Sequence, residues 1–490
     1  MCDVAPDSVV SIESGPIRGE VIDGIERFLG VPYAAAPLAE RRFAAPAPHP
    51  PWDEIRDATT AGPNAPQARR PFPQVNMTPL IGSGWRRGDD YLTANIWTPR
   101  AAAAATGGRA GLPVAVFIHG GAWVVGDKDA AVHNGSGFAR SGVVCITINY
   151  RLGIEGFLAL PGAPTNLGLR DQIAALEWVR RNAGCFGGDP DNVTVFGESA
   201  GAMCIANLIA SPLATGLFRR AIVQSGHGDM VHSRASAARL VDAIALKLGI
   251  AATVDAFRAC PVERCLSALE AVSQPGALDM RDTLGRDPAY GLTRFLPVYG
   301  DDVLPERPLA ALARGAGAEV DLLIGTNREE MNIYLVPTGV VKSMTRESAL
   351  SALRTVEPRA NEVFEEYRAQ QPGASAGTIY ATALTDLVFR LPSRQFAAAH
   401  RGRTHCYEFA WRSAALGGEL GACHALELPF VFNTLASCSG ADGIAGDSPP
   451  QRLADSVHRL WADFMRGRGL PWPAWETDAG SAHVETLTET

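Results

Sequence analysis

The sequence predicts an α/β fold built on a large, mostly parallel sheet with helices on both faces. Two observations carry this. Apolar, β-branched runs alternate with helical stretches through the middle of the chain, a pattern that buries a parallel sheet on both sides. One such run, Val193-Thr194-Val195-Phe196, passes through Gly197-Glu198-Ser199-Ala200-Gly201 directly into the apolar, helix-length segment from Ala202 to Ala210. A serine caught between strand and helix must turn sharply, and its flanking glycines leave room for the turn. The hydroxyl is then held out above the sheet, with the helix N-terminus behind it.

That strand–turn–helix is the nucleophile elbow of α/β-hydrolases. Residues 1–490 are therefore expected to form a single α/β-hydrolase domain, with helical insertions at about 232–315 and 345–400 over the active site. The five-residue pattern alone would not support this, because Gly373-Ala374-Ser375-Ala376-Gly377 has it too. There it follows the charged amphipathic segment 361–368 and Pro372, with no strand before it, and reads as a turn between helices. Context separates the two serines.

In chain order, Val9–Ile12, Ile17–Val21 and Glu26–Val31 alternate well enough for a hairpin or meander. The proline-rich run 44–51 and the irregular stretch to Asp89 read as loops over a site. Leu92–Trp97 restores a strand, and the alanine run 101–105 reads as an exposed insertion. Pro113–Ile118 and Val143–Tyr150 are buried strands, and Leu169–Asn182 is a helix with Ile173, Leu176 and Val179 on one face. Ala221–Gly226, Val320–Gly325 and Thr404–Phe409 are further strands, 421–430 is a loop, and a helix near Arg452–Phe464 closes the fold.

Composition excludes several classes. Net charge is −8, from 44 basic and 52 acidic residues with both signs dispersed, so nothing marks a nucleic-acid or anionic-lipid surface. No apolar run approaches the roughly 18 residues of a membrane span. The N-terminus, Met-Cys-Asp-Val-Ala-Pro, has neither a basic start nor an apolar signal segment, and the expected location is the cytoplasm. Nine cysteines without metal-ligand spacing read as reduced thiols.

A serine hydroxyl needs a base within reach and an acid to orient that base. In this fold the order is serine, acid, histidine, each after a strand. Of the histidines after Ser199, His424 lies in a loop behind a strand, whereas the others lie in helices, a strand, the tail or the wrong order. Glu329 and Glu330 both follow the strand ending at Gly325, and position alone does not separate them.

Several ordered motifs add to this. Phe28-Leu29-Gly30-Val31-Pro32-Tyr33-Ala34, Arg42-Phe43, Asn149-Tyr150-Arg151-Leu152-Gly153, Asn166–Gln172, Phe186-Gly187-Gly188-Asp189-Pro190 and Phe196–Gly201 stand along the chain, with Thr326–Glu330 and His424–Phe432 after them. Together they resemble the type-B carboxylesterases, a family that includes bacterial para-nitrobenzyl esterases and cholinesterases, over almost the whole length. The resemblance implies a Ser199–Glu330–His424 triad and an oxyanion hole from the amides of Gly121, Ala122 and Ala200. It implies supporting roles for Glu198, Ser225 and Glu427. Ala122 and Met331 stand where the family has glycines, and the loop cysteines that secreted members pair are absent. Trp85 and Trp123 read equally as pocket walls or as anchors. The expectation is a serine esterase of small-molecule carboxylic esters with no cofactor and no metal, no nucleic-acid or membrane partner, as a monomer or homodimer. Hydrolysis of another acyl bond (amide, lactone or carbamate) is the alternative, and a non-catalytic binding module is the more distant one.

Overall fold

The computed structural model describes residues 8–100, 111–475 and 483–489. The alanine run expected as an insertion lies outside them. Among the described residues, twelve strands form one sheet: β1 (Ser8–Ile12), β2 (Gly15–Ile22), β3 (Ile25–Pro32), β4 (Arg56–Asp57), β5 (Thr93–Pro99), β6 (Leu112–Ile118), β7 (Val144–Ile148), β8 (Gly188–Glu198), β9 (Arg220–Gln224), β10 (Asp321–Asn327), β11 (Thr404–Phe409) and β12 (Glu485–Leu487). Their spatial order is β1-β2-β3-β5-β7-β6-β8-β9-β10-β11-β12, with β4 beside β2. Pairing is antiparallel from β1 to β7 and parallel from β7 through β6 to β12. The expected α/β-hydrolase fold is the one found.

The parallel half behaves as its composition demands. Val114–Ile118, Val144–Ile148 and Val193–Phe196 are all buried, because helices cover both faces. The helices Leu167–Asn182 and Ala200–Ala210 bury their apolar residues against it. Two buried ion pairs brace this core, Arg151–Asp171 at 2.6 Å and Arg42–Glu155 at 2.6 Å; the second ties down the N-terminal loop directly, and Arg151 also donates to the Ala44 carbonyl. Each is a guanidinium fork on a carboxylate, the geometry that offsets the cost of burying both charges.

β6 lies between β7 and β8, so the chain leaves one side of it and returns on the other. A crevice opens at the strand ends where such a reversal occurs. The ends of β6 and β8 carry Gly120–Ala122 and Ser199, and this crossing is what brings them together.

The insertions differ from expectation in part. Helices occupy Arg234–Leu248, Val254–Ala259, Val262–Ser273 and Pro308–Ala313, but residues 274–307 hold none. Pro275 and Pro288 break the pattern, and the Asp282 carboxylate accepts from the amides of Leu284 and Arg286, closing a turn instead of a helix. Further along, helices occupy Arg346–Arg354, Ala360–Gln370, Ala376–Thr385 and Leu391–Ala399, with a π-helical turn at Asp386–Arg390. Ser375 of the second Gly-x-Ser-x-Gly is an ordinary N-cap there, in extended conformation, and accepts from the amide of Thr378.

Candidate active site

Ser199 stands between β8 and the helix Ala200–Ala210 with φ 55° and ψ −126°, a region L-residues rarely occupy. The flanking glycines are required by close approach. A Cβ on Gly197 would lie 2.6 Å from the Ile118 carbonyl oxygen, and one on Gly201 would lie 2.0 Å from it. The elbow is therefore pressed against the end of β6, and any side chain at 197 or 201 would push it off.

That same end of β6 carries the oxyanion-loop residues. Gly121, Ala122 and Trp123 all have positive φ, at 112°, 54° and 61°. Their carbonyls are engaged: Gly121 accepts from the amides of Val124 and Val125, Ala122 from the Thr293 hydroxyl, and Trp123 from the Gly153 amide. Among the described residues, no acceptor takes the amides of Gly121, Ala122 or Ala200. Ala122 thus tolerates the turn that a glycine would make freely, at a cost of about 1–2 kcal/mol for left-handed backbone.

On the other wall, Glu330 is fully buried after β10. Its Oε1 accepts from the Ser225 hydroxyl at 2.6 Å and the Asn327 amide at 2.7 Å. Its Oε2 lies 2.6 Å from Nδ1 of His424. Glu329, indistinguishable by position, turns the opposite way, to Arg412 and the amide of Ala422. The fold therefore separates the two candidates: one carboxylate holds an imidazole and the other holds a loop.

Nε2 of His424 is not hydrogen-bonded to Ser199. It lies 2.9 Å from Oε1 of Glu198, the residue next to the serine, without hydrogen-bond alignment. Ser199, Glu198 and His424 line one small cavity together with Gly121 and Ala122. A protonated ring is drawn by charge to the carboxylate rather than to the neutral hydroxyl, which accounts for its position. Burial disfavours the imidazolium, but the neighbouring carboxylates, Glu198 foremost and Glu330 with it, outweigh it and raise the His424 pKa well above the usual value.

Glu427 is buried in the same cluster, and accepts from Gln224 Nε2 at 3.0 Å and from Asn327 Nδ2 at 2.7 Å. Burial, with the charges of Glu198 and Glu330, pushes its pKa up to about 8.

Sequence reasoning missed the aromatic frame of the histidine. Phe389, on the π-helical turn, packs 4.7 Å from the His424 ring, and Tyr334 packs 5.7 Å from it. No motif marks them; only a helical register interrupted between Thr385 and Leu391 could have pointed there. Trp123 is a core anchor whose indole N–H reaches the Cys204 sulfur, and Trp85 stacks under Arg87; neither lines the cavity. Among the described residues no His/Cys/Asp/Glu cluster has the geometry of a metal site.

The comparisons agree with this architecture. Residues 6–478 match the model of the carboxylesterase family. The para-nitrobenzyl esterase of Bacillus subtilis is 35% identical over 485 residues, covering 96% of this chain and 93% of that protein. Phenmedipham hydrolase of Pseudarthrobacter oxydans is 33% identical over 483 residues, covering 95% and 92%. Among solved structures, a para-nitrobenzyl esterase superposes with TM-score 0.80 at 32% identity, covering 98% and 96%. A Geobacillus stearothermophilus carboxylesterase superposes with TM-score 0.82 at 33% identity, covering 98% and 96%. A match of this length in both sequence and fold makes the chain a member of the carboxylesterase family, a serine carboxylic-ester hydrolase of the α/β-hydrolase fold.

Proposed function

We propose that Ser199, His424 and Glu330 carry out the hydrolysis through an acyl-enzyme, on small-molecule esters, as one α/β-hydrolase domain. The observation that carries this is the Glu330–His424 contact of 2.6 Å, with the far ring nitrogen beside the neighbour of Ser199. Glu330 fixes the tautomer that leaves Nε2 as the base. An ester carbonyl entering between Ser199 and the amides of Gly121, Ala122 and Ala200 displaces Nε2 from Glu198 toward the hydroxyl, a tightening common on substrate binding. Nε2 takes the Ser199 proton as Oγ attacks, and the three amides hold the oxyanion. His424 then returns the proton to the departing alcohol, and the same base activates the water that frees the acid. Glu198, Ser225 and Glu427 support the imidazole and its carboxylate without touching the reacting carbonyl.

No step requires a metal or an organic cofactor. Eight described cysteines are all free, which supports a reducing compartment such as the cytoplasm, and no described helix is long and apolar enough to cross a membrane. Ser199→Ala should lower turnover of a nitrophenyl ester on the order of 10⁶-fold; near-normal turnover would refute the assignment. An ester and an amide of the same acyl group, compared side by side, separate this reading from amide hydrolysis.

A further inference from the structure

We propose that the mouth of this site selects esters bearing an anionic group remote from the scissile carbonyl, and that Arg70 is the side chain that selects them. This rests on the reading of Ser199 as the nucleophile. Above the inner cavity lies an outer one of about 440 Å³, formed largely by residues 67–84. The two share Arg70, Phe72, Met77, Ile81 and Val125, so a ligand reaching Ser199 from the outer cavity passes these residues.

A ladder of rings marks the route. Tyr334 lies 5.7 Å from His424, Phe72 lies 6.4 Å from Tyr334, and the Arg70 guanidinium lies 5.9 Å from the Phe72 ring. The last spacing is within reach of a cation–π contact, which orients the guanidinium without neutralising it.

Charge distinguishes Arg70 from its neighbours. Arg86 and Arg87, on the same segment, are consumed by ion pairs with Asp127 and Glu263. Among the described residues, no carboxylate pairs with Arg69 or Arg70. Arg69 is exposed and lines the outer cavity alone. Among the described residues, the one carboxylate lining either cavity is Glu198, at the inner end beside the imidazole. On a chain of net charge −8, an entrance with two unspent cations is a local reversal of sign. Such a reversal concentrates anionic ligands at the mouth. Arg70 reaches both cavities and Arg69 only the outer one, so Arg70 is the side chain that can hold a carboxylate while the ester sits at Ser199.

The test compares matched esters on the purified protein at low and high salt. Monomethyl adipate against methyl hexanoate places the anion on the acyl side; 3-carboxypropyl acetate against butyl acetate places it on the alcohol side. In R70Q, the kcat/KM ratio of anionic to neutral ester should fall about fivefold in one of these pairs, the upper end for an exposed charge pair. The loss should appear in KM, be deeper in R70E, and the wild-type preference should weaken with salt. The pair that responds identifies the side of the ester that faces Arg70. A ratio unmoved in both pairs by R70Q and R70E overturns the inference, as does an equal loss on neutral and anionic esters. If wild-type protein hydrolyses neither neutral ester, the esterase reading itself fails, and the inference with it.

Discussion

Glu198 and Glu330 flank the His424 ring from opposite nitrogens, at 2.9 Å from Nε2 and 2.6 Å from Nδ1. A general base must be neutral, yet this arrangement favours the imidazolium. Burial works against the charged form, and the charges of Glu198 and Glu330 more than reverse that effect. The acid limb of the kcat/KM profile should therefore have its midpoint above the ordinary histidine value of about 6.5.

Removing one charge fixes the sign. In Glu198→Gln the imidazolium loses a stabilising partner, its pKa falls, and the acid limb moves to lower pH. A full pH–rate profile of both proteins checks this; a limb that stays in place or moves upward would show that Glu198 does not set the protonation of His424.

Ser225 donates to Glu330 at 2.6 Å inside the core. A hydrogen bond to a charged group is worth about 1.5–3 kcal/mol, so Ser225→Ala should lower kcat by about 10- to 100-fold if that energy holds the carboxylate in place. Asn327 still donates to the same oxygen, and KM should change little. Steady-state kinetics on one nitrophenyl ester separates the two parameters.

Ala122 adopts φ 54° in the loop that carries two of the proposed oxyanion donors. Ala122→Gly relieves about 1–2 kcal/mol of left-handed backbone cost and gives back about 0.4–1 kcal/mol through the more flexible unfolded chain. Its melting temperature should be equal or higher by thermal unfolding. Ala122→Val, branched at Cβ, should lose both stability and kcat.

The two serines in identical five-residue patterns provide an internal control. Ser375 caps the helix Ala376–Thr385. Ser375→Ala should cost about 1 kcal/mol of stability, read from denaturant unfolding, and leave esterase kinetics unchanged.

How much of this was legible in the sequence follows from how local each determinant is. The elbow was readable because strand, glycines and helix are contiguous. The parallel half of the sheet was readable because both its faces are apolar. The choice between Glu329 and Glu330 was not local: it depends on Arg412 and Ala422, far along the chain, drawing Glu329 away. The family resemblance supplied that choice, and neither periodicity nor spacing contained it. Phe389 and Tyr334 were invisible because a ring beside an imidazole leaves no motif. Residues 274–307 fall in a span that reads as helical in pattern with interruptions at Pro261, Pro275 and Pro288; there the prolines and the Asp282 turn extend the interruption over the whole stretch. The approach of Nε2 to Glu198 instead of Ser199 is a competition between two adjacent acceptors, decided by their charges.

The most direct test labels the enzyme with a fluorophosphonate, which transfers its phosphorus to an activated serine, followed by peptide mapping by mass spectrometry. The adduct is expected on the peptide containing Ser199, absent from Ser199→Ala and strongly slowed in His424→Ala. An adduct on another residue, or labelling in His424→Ala at the wild-type rate, would contradict the account.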